Sequence, residues 1–231
     1  MTRSAAPGYG LVIFDCDGVL VDSEPIANRV FAEMLAGQGL VLTPRETMRR
    51  YMGRSMAACR ILIETELGRA LPGDFFSELH ARTLGAFQNE LRPVEGIGRV
   101  LDGLTTPSCV ASSSTHERLR LALELTNLFS RFEGRIFSAH DVARGKPAPD
   151  LFLHAAHLMG VGPERCAVVE DSVPGVEAGV SAGMDVYGYA WHGDGRALRA
   201  AGAQVFGRML ELPALLLARP GPSPRGADPT P

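Results

Sequence analysis

The chain has 231 residues, 45% of them hydrophobic and 21% charged, which suits one large soluble domain or a core with a smaller insert. Its 23 Lys and Arg against 26 Asp and Glu leave a net charge of −3. That balance supplies no basic field for nucleic acid or an anionic membrane, and no apolar run approaches the ~20 residues that span a bilayer.

Residues 11–14, the apolar run LVIF after Gly10, read as a buried strand of a parallel sheet. Asp15 and Asp17 stand at its carboxyl end, separated by Cys16. Two residues apart at a strand end, their side chains share a face and point into one pocket. Like charges held that close need a metal ion or a proton to separate their roles. Gly18 then lets the chain turn away sharply. For Asp22, Ser23 and Glu24, a cap on the next helix is an equally good reading.

From residue 25 to 91 the pattern is helical. Residues 26–35 carry apolar side chains at helical spacing and are followed by Gly37 and Gly39. Thr43, Pro44 and Glu46 mark a second helix start; 55–67 and 74–87 are further amphipathic candidates, and no strand is expected in this span. Beyond it, helices over 96–104, 117–125, 150–159 and 173–182 alternate with strands over 109–111, 135–137, 167–169 and 185–189. Such alternation predicts an α/β fold, a doubly wound parallel sheet with right-handed crossovers. The expected organisation is a core of residues 9–24 and 92–217, a helical domain over 25–91 and a disordered Pro- and Gly-rich tail over 218–231.

Three further runs lie at predicted strand ends, where sites in such sheets form. PSCVASSS closes its strand on Ser112, RGKPAPD carries Lys146, and CAVVEDSVPGVEAG ends in Glu170 and Asp171. Taken singly, Ser112 reads as a helix cap, Lys146 as a solvated loop lysine, and Glu170-Asp171 as helix N-terminal acids. Taken in order with DCDGVLVDSE, the four runs resemble the motifs of the haloacid dehalogenase superfamily, over roughly residues 10 to 212.

The resemblance implies a Rossmann-like core with a small helical cap of the type inserted between the first two motifs. It implies phosphoryl transfer: Asp15 as nucleophile forming an aspartyl-phosphate, and Asp17 as general acid and then base. Lys146 would neutralise charge, and Ser112 with the Ser113 amide would hold phosphoryl oxygens. The implied cofactor is Mg²⁺, on Asp15, Asp171 and the Asp17 carbonyl, with Glu170 as a ligand or the holder of a metal-bound water.

The expected function is therefore a Mg-dependent phosphatase acting on a small phosphorylated metabolite, a sugar phosphate. The stretch from residue 94 to 189 is also similar to bacterial sugar-phosphate phosphatases, including those acting on 6-phosphogluconate. The alternative is a β-phosphoglucomutase-type enzyme, which usually carries His where this chain has Ala27 and Arg where it has Met56. A minor alternative, a non-catalytic binding protein, sits badly with the presence of Asp15, Asp17, Lys146 and Asp171 together.

His116, just after the phosphate loop, and Arg54 are candidate substrate contacts; Arg49 and Arg60 suggest an anionic or polyhydroxylated substrate. His154 and His157, three apart on one helix, read as packing or surface residues. Cys16, Cys59, Cys109 and Cys166 show no Cys-x-x-Cys spacing, so neither zinc nor a disulfide framework is expected. The N-terminal MTRSAAPGYG lacks the apolar centre of a secretory signal. Together these readings predict a cytoplasmic monomer or weak dimer with no nucleic-acid or membrane partner.

Overall fold

The computed structural model describes residues 8–51, 54–191, 193 and 195–219. Among them, six strands form one parallel sheet: β1 (Leu11–Phe14), β2 (Ser108–Ser112), β3 (Ile136–Ser138), β4 (Cys166–Glu170), β5 (Asp185–Tyr189) and β6 (Gln204–Phe206). Their order is β3-β2-β1-β4-β5-β6. The chain steps outward from β1 to β3, then crosses to β1's other edge with β4, so the strand order reverses at β1. Phe14 lies opposite both Val110 and Val169, which puts the residues following β1, β2 and β4 at one rim of the sheet.

All four β1 residues are buried, and alternation divides them between two layers. Val12 and Phe14 join Leu119, Leu123 and Phe132 on one face. Leu11 and Ile13 join Leu151, Phe152, Ala155 and Val176 on the other. Each such side chain, fully removed from water, contributes about 1.5–3 kcal/mol. The helices behind these faces include α6 (His116–Leu125), α8 (Asp150–Leu158) and α9 (Val173–Ser181).

Between β1 and β2 run α1 (Glu24–Gly37), α2 (Pro44–Tyr51), α3 (Met56–Leu67), α4 (Phe75–Glu90) and α5 (Ile97–Gly103), with no strand among the described residues of 25–91. Local chemistry sets their starts. The Thr43 amide donates to Glu46 Oε2 at 2.8 Å and the Glu46 amide donates back to Thr43 Oγ1 at 3.2 Å, a reciprocal box that opens α2. Ser55 Oγ accepts from the Ala58 amide at 3.2 Å and opens α3. Phe31 of α1 packs on Tyr51 and Phe75 at ring distances of 5.2 and 6.4 Å. This aromatic layer runs through Val30, Met34 and Phe87 into the Val12–Phe14 face of the sheet.

The C-terminal part holds elements that periodicity does not signal: the short α7 (Phe129–Phe132), α10 (Arg196–Ala200), β6 and α11 (Leu212–Leu217). β6 has three residues, one exposed and one half-buried, too few to show alternation. The expectation of a disordered tail falls almost wholly on residues outside those described. At its start, Ala218 caps α11, and the Arg219 guanidinium lies 4.7 Å from the Tyr9 ring centre and 3.3 Å from Asp185.

Candidate active site

Asp15 is the first residue past β1; its amide donates to the Val169 carbonyl at 3.0 Å, which extends the β1–β4 pairing to the sheet rim. Its carboxylate is nearly buried and accepts from Lys146 Nζ at 2.6 Å. The same ammonium donates to Glu170 Oε1 at 2.6 Å and to the Ala111 carbonyl at 3.1 Å. Lys146, from the loop before α8, thus joins the ends of β1, β2 and β4 with its three donors. Only 4% of its side chain is exposed, against 9% for Asp15 and 1% for Glu170, so solvent does little to screen these pairs.

Glu170 spends its other oxygen locally. Oε2 accepts from the Asp171 amide, the Ser172 amide and Ser172 Oγ, each at 2.9 Å. Gly175 in the first turn of α9 makes room, because a Cβ there would lie 1.8 Å from Glu170 Oε1. Gly18 does the same for Asp171: its φ is +78°, and an added Cβ would fall 2.0 Å from Asp171 Oδ2. The turn after Asp17 therefore closes directly over the end of β4.

Asp17 is held differently. Ser23 Oγ and Arg118 Nη2 donate to its Oδ1 at 2.7 and 2.9 Å, and Ser114 Oγ donates to Oδ2 at 2.8 Å. Arg118 also stacks 5.1 Å from the Phe87 ring centre on α4. Ser112 ends β2 with its hydroxyl buried, accepting from the Ser114 amide at 3.3 Å; Ser113 beside it is exposed. Ser138 Oγ fixes this loop from beneath through the Ser114 carbonyl at 2.7 Å.

The electrostatics follow from burial. Asp15 is pushed up to about 7, first by desolvation and next by the Glu170 charge, against the pull of Lys146. Asp171 rises well above the carboxylate range, through burial and then the charges of Glu170 and Asp15. Lys146 loses affinity for its proton through burial but gains more from Asp15 and Glu170, and stays charged. For Asp17, burial works upward, yet Arg118 and the two serines outweigh it and hold the carboxyl below its ordinary value. Three carboxyls, Asp15, Glu170 and Asp171, thus share one ammonium.

That excess of hard oxygen donors fits an added cation of the Mg²⁺ type, with Asp15 and Asp171 as side-chain donors. Among the described residues, no three His, Cys, Asp or Glu side chains stand already converged in ligating geometry. Both oxygens of Glu170 are engaged, one by Lys146 and the other by the β4–α9 turn.

The remaining candidates are less central. His116 Nε2 lies 2.8 Å from Asp141 Oδ1, half-exposed at the start of α6. Arg54 is exposed and donates to the Arg50 carbonyl at 2.9 Å; no contact among the described residues joins it to the Asp15 cluster. Arg60 pairs with Glu64 at 3.2 Å. His154 packs on Phe137.

Arg118 escapes a motif reading. The signal that exposes it is a cation in the first turn of α6, where the helix dipole disfavours one.

Beside the cluster lies a cleft of about 1260 Å³ between α1 and α2 on one side and the turns after β4 and β5 on the other. Asp171 and Ser172 line it, while Asp15 and Asp17 do not. The cleft flanks Asp15 and does not contain it.

Residues 9–183 match the family described as haloacid dehalogenase-like hydrolase. The chain is 33% identical over 209 residues to the 6-phosphogluconate phosphatase of Escherichia coli (strain K12), covering 90% of this chain and 95% of that protein. A conserved haloacid dehalogenase-like protein of unknown function from Agrobacterium tumefaciens superposes with a TM-score of 0.86 at 36% identity, covering 91% of this chain and 99% of that one. A putative beta-phosphoglucomutase from Thermotoga maritima superposes with a TM-score of 0.74 at 28% identity, covering 90% and 96%. With a match over most of its length and a relative of this likeness, the chain belongs to the haloacid dehalogenase-like hydrolases.

Proposed function

We propose that the chain hydrolyses the phosphate monoester of a small metabolite, a sugar or polyol phosphate, through an aspartyl-phosphate on Asp15. The observation that carries this reading is the Lys146 ammonium 2.6 Å from both Asp15 and Glu170. It aims a buried carboxylate out of the sheet rim with a fixed positive charge beside it. In the first half-reaction an Asp15 oxygen attacks phosphorus, the ester P–O bond breaks, and the leaving oxygen takes a proton from Asp17. In the second, water attacks the same phosphorus, Asp17 takes the water proton, and the P–O bond to Asp15 breaks to release phosphate.

Asp17 as it stands is an acceptor of three donors, ready for the second half-reaction. To act as acid it must be freed from them. Ser112 and the Ser113 amide, at the rim of β2, donate to the phosphoryl oxygens. A bound Mg²⁺, held by Asp15, Asp171 and the Asp17 carbonyl, supplies charge neutralisation for the incoming dianion. A sugar substrate is supported by the likeness to a 6-phosphogluconate phosphatase.

The test is phosphate release from a panel of about a hundred phosphorylated metabolites with Mg²⁺, repeated with Asp15→Asn. The expected result is turnover of a few sugar or polyol phosphates and loss of at least about 10⁴-fold in the variant, without loss of folding. Near wild-type turnover by the variant refutes the nucleophile. A mutase reading draws on the superposition with a putative beta-phosphoglucomutase. Against it, Ala27 and Met56 occupy the two cap positions where such enzymes usually carry His and Arg. Conversion of glucose 1-phosphate without phosphate release decides for the mutase.

A further inference from the structure

Arginines on the helical side of the cleft fall into two groups. Arg29 of α1 pairs with Glu33 and Glu90 at 2.9 and 2.7 Å, and Arg50 of α2 pairs with Glu66 at 2.7 Å. Arg45 and Arg49, four residues apart on α2, both line the cleft. Both are exposed, and neither guanidinium has an ion pair or hydrogen bond among the described residues. Like charges at this spacing repel along a helix. The acid of this helix, Glu46, spends its hydrogen bonds on capping Thr43, though it stays close enough to feel the Arg49 charge.

Across the cleft the lining includes a further cation, Arg196, but the end next to the sheet rim is acidic. Its boundary with the catalytic cluster is Asp171, behind which stand Asp15 and Glu170. An acidic group on a bound molecule is repelled from that end and attracted to the other. Between the two ends the walls are mainly apolar, including Met48, Tyr189 and Trp191, suited to the C–H face of a carbon chain or ring.

We infer that Arg45 and Arg49 form a subsite for a second anionic group, so that the preferred substrate carries a carboxylate or second phosphate distal to the scissile ester. This deepens, and rests on, the sugar-phosphate reading. Two guanidiniums can meet a carboxylate or phosphate with paired, charge-assisted hydrogen bonds. The subsite chooses the leaving group and takes no part in the chemical step.

The chain's single tryptophan, Trp191, lines the same cleft, so its emission reports occupancy. Asp15→Asn protein with Mg²⁺ is titrated with 6-phosphogluconate and with glucose 6-phosphate, which share the C6 ester and differ at C1, an open-chain carboxylate against a ring hemiacetal; fructose 1,6-bisphosphate tests the second phosphate. The expected result is a saturable emission change with an apparent Kd at least about tenfold lower for one or both doubly anionic ligands than for glucose 6-phosphate. Adding Arg45→Gln and Arg49→Gln is expected to erase that ratio, and in wild-type background to cut the matching kcat/KM ratio about tenfold, chiefly through KM. Equal affinities in the parent, no emission change with any of the three, or a preference that survives the double substitution each overturn the subsite. Because the titration needs no turnover, it decides the arginines even if no sugar phosphate is hydrolysed, an outcome that overturns only the reading beneath.

Discussion

At the sheet rim, the side chains of Asp15, Lys146 and Glu170 are buried and held by one another, the lysine donating to both carboxylates. On α2, a cleft's width away, Arg45 and Arg49 are exposed and hold nothing among the described residues. The same charge type therefore does different work in the two places. Buried, a charge is costly unless paired, so its partners are fixed and its removal leaves an orphan. Exposed, a charge costs little to keep and little to lose, and its value lies in what arrives from solution.

The largest expected break in that contrast is Lys146→Met. It leaves Asp15 and Glu170 facing each other at a dry rim, and loss of one member of a buried ion pair costs roughly 3–5 kcal/mol. Phosphate release should fall by about 10³-fold or more, since a fixed charge at the transferring group is lost with it. Arg49→Met, on the other side, should change stability by less than about 0.5 kcal/mol. Urea denaturation of both variants checks the comparison; equal losses would show that burial does not separate the two sides.

The same contrast decides what was legible in the sequence. Strands of four or five apolar residues are marked by composition, so the α/β sheet and the places of Asp15, Ser112 and Glu170 at strand ends could be read without coordinates; Lys146, in the loop before α8, joins them in the sequence only through what the family resemblance implies. β6 could not, because three residues at an edge carry no alternation. Nor could Arg118. It reaches Asp17 across 101 positions of sequence, and nothing local to either residue encodes that meeting. Arg54 is a candidate substrate contact from its place among the arginines of the helical insert, and sequence carries no direction for it: its guanidinium donates back to the Arg50 carbonyl of α2.

A divalent ion should sharpen the rim further, in a pH-dependent way. Asp15 and Asp171 bind protons more tightly folded than unfolded. A raised carboxyl favours folding below its unfolded value, and that contribution is lost as pH rises through the folded value, which for Asp15 is about 7. Asp17, held low, works in the opposite sense at acid pH. A cation on Asp15 and Asp171 relieves their repulsion but competes with their protons. The gain in Tm on adding Mg²⁺ to chelator-treated protein should therefore be larger at pH 7.5 than at pH 5. A gain independent of pH would mean that the ion sits elsewhere.

The smallest expected effect joins the rim to the helices above it. Arg118 touches both, donating to Asp17 at 2.9 Å while stacking on Phe87 of α4. Replacing it with Gln removes the charge that holds Asp17 low but not the burial that pushes it up, so the Asp17 carboxyl must rise. Ser23 and Ser114 remain to orient it. When hydrolysis of the aspartyl-phosphate limits turnover, Asp17 must be ionised to take the water proton, so the acid limb of the kcat profile should then move to higher pH, with kcat at neutral pH down about tenfold, in the lower part of the range typical of general acid–base groups. Arg118→Lys, which keeps a charge, should recover much of the profile but not the stacking on Phe87. A purely structural role predicts something else: lower activity at every pH, an unmoved limb, and Lys no better than Gln.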